Sequence, residues 1–235
     1  MYSAELARIH DQHFGAYAER VAPDIIALLR ANGLGTGLVV EVGCGGGKLA
    51  QRLVNAGYDV HGIDISRAMI AIARARVKAS TFRVGSITST RIPACAAIVG
   101  VGEVVTYLPR GLPSLKRFFE RARRALQPGG LLVFDFIESA RRRTYSEKTT
   151  SGKNWKLVVN ATFEPESRVL TRRIAIVRRV GQRQRASSEI HRVRVYSRQE
   201  LTSALESAGF ACVMKRSFGR AQLLSGNVAV IALKV

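Results

Sequence analysis

The chain has 235 residues, 47% of them hydrophobic, and a formal net charge of +20 at pH 7. That length fits one substantial α/β domain with room for an insertion, not two full domains, and no apolar run approaches the ~18 residues needed to span a membrane. Cys44, Cys95 and Cys212 include no CxxC pair and cannot all pair, and the N-terminus carries Glu5 and Asp11 where a signal peptide would be apolar. A cytoplasmic protein with reduced thiols is therefore expected, with no metal site. The charge is uneven: residues 1–140 hold 17 Lys and Arg against 11 acids, residues 141–235 hold 20 against 6. The basic second half admits an anionic partner such as RNA, but 29 of the 37 basic residues are Arg, so a solvated surface set by composition is the preferred reading.

Residues 3–32 read as two helices. Leu6, Ile9, His13 and Phe14 recur at helical spacing in the first; in the second, Pro23 comes early and Ile25, Ile26, Leu28 and Leu29 form a stripe ended by Asn32-Gly33. Leu38, Val39, Val40 and Val42 then read as a buried parallel strand interrupted by Glu41. Gly43, Gly45, Gly46 and Gly47 follow, and helical spacing resumes with Leu49, Leu53 and Val54. Glycines between strand and helix permit a tight turn and let a ligand approach the main chain, which is where nucleotide-like ligands bind in an open α/β sheet.

The spacing separates three loop types. A GxxxxGK[ST] phosphate loop would require Gly at position 42 and Ser or Thr at 49, where Val42 and Leu49 stand. A GxGxxG dinucleotide frame starting at Gly43 meets Lys48 at its third glycine, and one starting at Gly45 meets Ala50. The remaining pattern, Glu41-x-Gly43-x-Gly45-x-Gly47, resembles the first motif of class I S-adenosylmethionine-dependent methyltransferases. A second strand at 58–64 ends in Asp64, about 20 residues past the glycines and placed to accept from ribose hydroxyls, as in nicotinamide and adenosylmethionine enzymes alike. Ser66 is better placed than Asp64 to cap the helix at 67–77.

The resemblance implies a Rossmann-like, doubly wound seven-stranded sheet in order 3-2-1-4-5-7-6 forming a single domain. Its parts are a helical cap (1–33), a cofactor-binding core (34–140), an antiparallel β insertion (150–196) and a closing helix and β-hairpin (197–235). It also implies S-adenosyl-L-methionine as cofactor, lined by Tyr17, Glu41, Gly43, Cys44, Gly45, Asp64, Ile65, Ser86 and Ile87, with Phe14 and His13 as further cap candidates. Ser86 stands where the family usually has an acid or Asn, and Ala96 where many members have Asp.

Further strands are expected at 81–84 and 96–102. Glu103, just past the latter, is the acid expected to act as general base, acceptor anchor or methionine-amino contact. A helix at 115–126 leads through Gln127-Pro128-Gly129-Gly130 into a strand at 131–136, and RALQPGGLLVFDF closely resembles the same passage in the family. Three β-rich runs, 155–163, 169–180 and 188–196, then predict an antiparallel meander with one polar face able to cover an active site. It carries His191, a candidate base or orienter. Ser197 to Glu200 form a capping box opening a helix at 199–208, and strands at 210–218 and 228–234 close the chain. The implied activity is methyl transfer by direct displacement to an N or O atom of a small molecule. RNA methylation and non-catalytic cofactor binding are the alternatives, and the sequence leaves the acceptor and the oligomeric state open.

Overall fold

The computed structural model describes residues 3–140 and 143–235; the first two residues of the predicted cap lie outside that range. Seven strands form one sheet: β1 (Leu38–Val42), β2 (Asp59–Asp64), β3 (Thr81–Val84), β4 (Cys95–Gly100), β5 (Leu126–Ile137), β10 (Phe210–Lys215) and β11 (Asn227–Lys234). Their spatial order is β10-β11-β5-β4-β1-β2-β3, the expected order once the insertion strands are set aside. β1 pairs parallel with β2 and β4, while β11 runs antiparallel to β5 and β10. Successive side chains of a strand point to opposite faces, so Val39 packs with Ile25, Leu29, Leu49 and Leu53 on one side. Val40 and Val42 pack with Phe118, Phe119, Leu201 and Leu205 on the other. Helices α2 (Ala16–Ala31), α3 (Lys48–Asn55) and α4 (Arg67–Arg76) supply the first layer, α5 (Leu112–Ala125) and α6 (Arg198–Ser207) the second. The capping box of α6 is present in full, Ser197 and Glu200 each bonding the other's backbone N–H.

The cap departs from two simple helices. Its first helix, α1, spans only Ala4–Ile9, and a π-helical turn, His10–Phe14, joins it to α2. Single π turns occur where a functional site re-aims side chains. Leu6 and Ile9 of α1 are buried against Leu157, Ile174 and Ile176 of the insertion.

The insertion has four strands, not three: β6 (Tyr145–Gly152), β7 (Trp155–Glu164), β8 (Val169–Val180) and β9 (Arg183–Arg194), paired antiparallel in chain order. β6 reads YSEKTTSG and is exposed or half-buried throughout, so it lacks the apolar alternation by which a strand is recognised. The expected polar cover is also corrected. Ile174, Ile176, His191 and Val193 are the buried face, while Arg173 and Arg192 point to solvent and Ile190 is 53% exposed. On the covering face, Leu170 and Val193 pack with Ile137 and Ala140, and Ile174 and Ile176 pack on α1. Between those apolar rows lies the cross-strand pair Arg172 and His191. Among the described residues no helix is long and apolar enough to cross a membrane.

Candidate functional site

Gly43 and Cys44 both donate their N–H to the Ile63 carbonyl, at 2.7 and 3.1 Å, which ties the glycine loop to the end of β2. Asp64 then bridges two loops: Oδ2 accepts from Gly45 N–H at 2.9 Å and Oδ1 from Ser66 N–H at 2.8 Å. Burial raises its pKa, with those two N–H groups pulling the other way. Ser66 Oγ accepts from Met69 N–H and caps α4, so Asp64 is left to the loops. Glu41 is buried. One carboxylate oxygen, Oε2, has no hydrogen-bond partner, and burial pushes the group up to about 8 despite the opposing Ala50 N–H.

Gly43 has φ +64, and a Cβ there would overlap the Val104 methyls, whereas a Cβ on Gly45 would meet open space. The main chain at Gly45 therefore borders room for a ligand. Cys44 is buried beside Gly62 and faces inward. Ile65 is 53% exposed next to Asp64. Gly85 N–H donates to the Asp64 carbonyl, bringing Ser86 to the same edge. The Ser86 hydroxyl is engaged with Thr88 Oγ1 at 2.8 Å, and Ile87 is buried in the core.

At the ends of β4 and β5 the groups are side chains. Glu103 is buried with φ 69, a conformation uncommon outside glycine. Its carboxylate lies between two guanidiniums, Arg143 through Oε1 and Arg172 through Oε2 at 3.0 Å. Arg172 also donates to Tyr107 OH at 3.0 Å, and Arg143 to Asn227 Oδ1 at 2.8 Å. Asp135, fully buried in β5, accepts from Gly102 N–H at 2.7 Å, Glu103 N–H at 3.3 Å, Tyr17 OH at 3.1 Å and the Asn227 amide. Burial, and then the charge of Glu103, push Asp135 up to about 6. His191 Nε2 is 3.1 Å from Glu189 Oε2, and its ring meets Tyr107 edge-on with centroids 6.0 Å apart. Burial holds its pKa below the usual histidine value, opposed by Glu189.

Glu103 and His191 thus stand in one cluster, joined through Arg172 and Tyr107. Tyr17 belongs to that cluster too, bonded to Asp135 rather than to the glycine loop. Sequence reasoning did not single out Asp135, Arg143, Tyr107 or Asn227 for the site. The one signal available was Asp135 itself, an acid in the apolar run LLVFDF.

The cap closes over the glycine loop through Asp11 of the π turn. Both its oxygens pair with Arg76, at 2.8 and 2.7 Å, and Arg76 also donates to the Gly46 carbonyl. Lys48 pairs with Glu19 at 3.5 Å. The His13 ring meets that of Trp155 at a tilt, with centroids 4.8 Å apart, and Phe14 is 41% exposed. Among the described residues no group of three or more His, Cys, Asp or Glu is arranged to hold a metal ion.

Residues 40–134 match the methyltransferase domain family. A ubiquinone biosynthesis O-methyltransferase from Pectobacterium carotovorum subsp. carotovorum (strain PC1) is 31% identical over 110 residues, 46% of each chain; the match thus spans about half the length of that relative. An S-adenosylmethionine-dependent methyltransferase from Clostridium acetobutylicum ATCC 824 superimposes with a TM-score of 0.83 at 16% identity, covering 97% of both chains. CalS10, an amino pentose methyltransferase from Micromonospora echinaspora, gives 0.78 at 18% identity, covering 100% of this chain and 98% of that one. At such identities the likeness is one of fold. The glycine loop after β1, the acid ending β2 and the strand order lie in or around the stretch that matches the methyltransferase domain family, residues 40–134, and the sheet has the Rossmann-like fold of S-adenosylmethionine-dependent methyltransferases.

Proposed function

We propose that this chain transfers a methyl group from S-adenosylmethionine to an oxygen or nitrogen of a small molecule. The observation that carries the reading is Asp64, fixed between the Gly45 and Ser66 N–H groups at the edge of the open space beside Gly45. These residues fit the cofactor. Asp64 retains lone pairs for ribose hydroxyls, and Ile65 presents an exposed apolar side chain next to the sugar site. Bound S-adenosylmethionine would supply a sulfonium methyl that is already electrophilic.

The chain's own contribution is alignment and exclusion of water. Holding two reactants in line can supply on the order of 7 kcal/mol of the barrier without a covalent intermediate. Glu103, with each oxygen on an arginine, is suited to orienting the acceptor rather than to taking its proton. His191, neutral at pH 7 because burial lowers its pKa, is the group suited to receive a proton from a hydroxyl or ammonium acceptor. The cluster around Glu103 is charged and hydrogen-bonding throughout, which favours a polar acceptor. Free Cys44, Cys95 and Cys212 accord with a reducing, cytoplasmic setting.

Titration calorimetry tests the reading. Micromolar binding of S-adenosylmethionine or S-adenosylhomocysteine is expected; equal or tighter binding of NADH would overturn it. A second reading, RNA as acceptor, draws on Arg173, Arg179 and Arg192, which face solvent on the insertion sheet. It expects salt-dependent RNA retention that weakens when those arginines are neutralised, and no retention at low salt would remove it.

A further inference from the structure

We propose that Asp135 is a positioning residue of the methyl-transfer site, the carboxylate that fixes the turn carrying Glu103 and the tyrosine of the cap relative to each other across the crevice. The inference rests on the crevice holding S-adenosylmethionine and its acceptor.

Four donors converge on this side chain, and they come from three separate parts of the chain. Gly102 and Glu103 N–H belong to the turn after β4, Tyr17 OH to α2 and the Asn227 amide to β11. The turn needs such a partner. Gly102 has φ +86 and Glu103 φ 69, left-handed conformations that a non-glycine residue keeps only when its surroundings hold it there. Asp135 follows Phe134, which lies opposite Gly100 of β4, so the carboxylate sits at the carboxyl ends of the central strands, where the crevice opens. A charge buried this completely is costly unless its hydrogen bonds are all made, and every donor that satisfies Asp135 belongs to an element bordering the site. Through Asn227 it also reaches Arg143, which holds Glu103 from the other side.

The charge state of Asp135 matters for the same reason. Above about pH 6 the carboxylate accepts from all four donors; below it, a proton on Oδ2 weakens the bonds from Tyr17 and Asn227, and one on Oδ1 those from Gly102 and Glu103. The titratable and charged groups facing it are Tyr17 from α2, with Arg20 5.4 Å from the Tyr17 ring, and Glu103 from the turn, with Arg143 and Arg172 beyond it. None of the arginines contacts Asp135 directly in the hydrogen bonds described above.

Two measurements on the whole chain test the proposal. In hydrogen–deuterium exchange, Asp135→Asn is expected to speed exchange in residues 101–106 and 15–20 about tenfold, with the central strands at 39–42 and 96–99 unchanged. The amide of asparagine would set a donor against the Asn227 amide. Tyr17→Phe is expected to loosen 15–20 and leave 101–106 protected. In calorimetry with S-adenosylhomocysteine as probe, the unmodified chain should bind roughly tenfold more weakly at about pH 5 than at about pH 7.5, and Asp135→Asn should bind weakly and alike at both.

Unchanged exchange at 101–106, or equal loosening of the central strands, would overturn the proposal. So would an Asp135→Asn variant that keeps the affinity and pH profile of the parent. Failure of the unmodified chain to bind S-adenosylhomocysteine would strike instead at the cofactor assignment, while the exchange contrast would still decide the role of Asp135.

Discussion

On the proposed cofactor side of the crevice the groups are mainly main chain. The N–H groups of Gly43, Cys44, Gly45 and Ser66 hold the loop and Asp64 together, and their positions follow from one turn and the end of the next strand. On the proposed acceptor side the groups are side chains, Tyr17, Glu103, Asp135, Arg143, Arg172, His191 and Asn227, gathered from the whole length of the chain. A cradle made of backbone suits a ligand shared by many proteins, because it depends on glycine spacing rather than on particular side chains. A cluster made of distant side chains can change its chemistry one residue at a time while the sheet beneath it stays fixed.

If the two sides are separable, each can be broken alone. The largest effect is expected from Asp64→Ala, which removes the acceptor for Gly45, Ser66 and the sugar together. Cofactor affinity should fall about a thousandfold, roughly 4 kcal/mol by calorimetry, whereas Arg172→Ala should leave it within about threefold. Next comes Arg143→Ala, which strips a buried carboxylate of one of its two guanidiniums. A loss of about 3 kcal/mol in urea unfolding is expected, with cofactor binding retained if the comparison holds.

Gly46→Ala sharpens the contrast at the cap. A Cβ there would overlap Asp11 Oδ1 and crowd the Arg76 guanidinium, so destabilisation of about 2 kcal/mol and faster exchange of the cap are expected. A smaller effect is a matter of pH. Glu41 has an ordinary value of 4.5 and a folded value of about 8, so between those limits the folded chain holds a proton that the unfolded chain has released. Stability present at low pH is therefore lost as pH rises through about 8, with a slope from this group of up to about 1.4 kcal/mol per pH unit that Glu41→Gln should remove. The smallest is Glu200→Ala, which opens the α6 capping box far from the crevice. It should cost about 1 kcal/mol and leave cofactor affinity unchanged.

The same contrast explains what the sequence made legible. Glu41, the glycines and Asp64 are close in the chain, and each does what its spacing requires of a strand, turn, strand and helix, so they carry the family resemblance that implies the fold and strand order. The acceptor cluster has no such local grammar. Asp135 looked like part of an apolar strand, and Arg172 like one more cation in a basic half, until pairing brought it opposite His191 and beside Glu103. β6 escaped because both its faces meet water, and the π turn because Leu6, Ile9, His13 and Phe14 satisfy a helical stripe with or without one extra residue.

That extra residue sets the rotational phase of the N-terminus. An α-helix turns about 100° per residue, and a π turn is in effect an α-helix lengthened by one. Deleting a single position between His10 and Phe14 would swing α1 by about that angle about its own axis. Leu6 and Ile9 would leave Leu157, Ile174 and Ile176, and Asp11 would leave Arg76. The bulged turn is thus a gearing element, matching a helix that must grip the insertion to one that must grip the core.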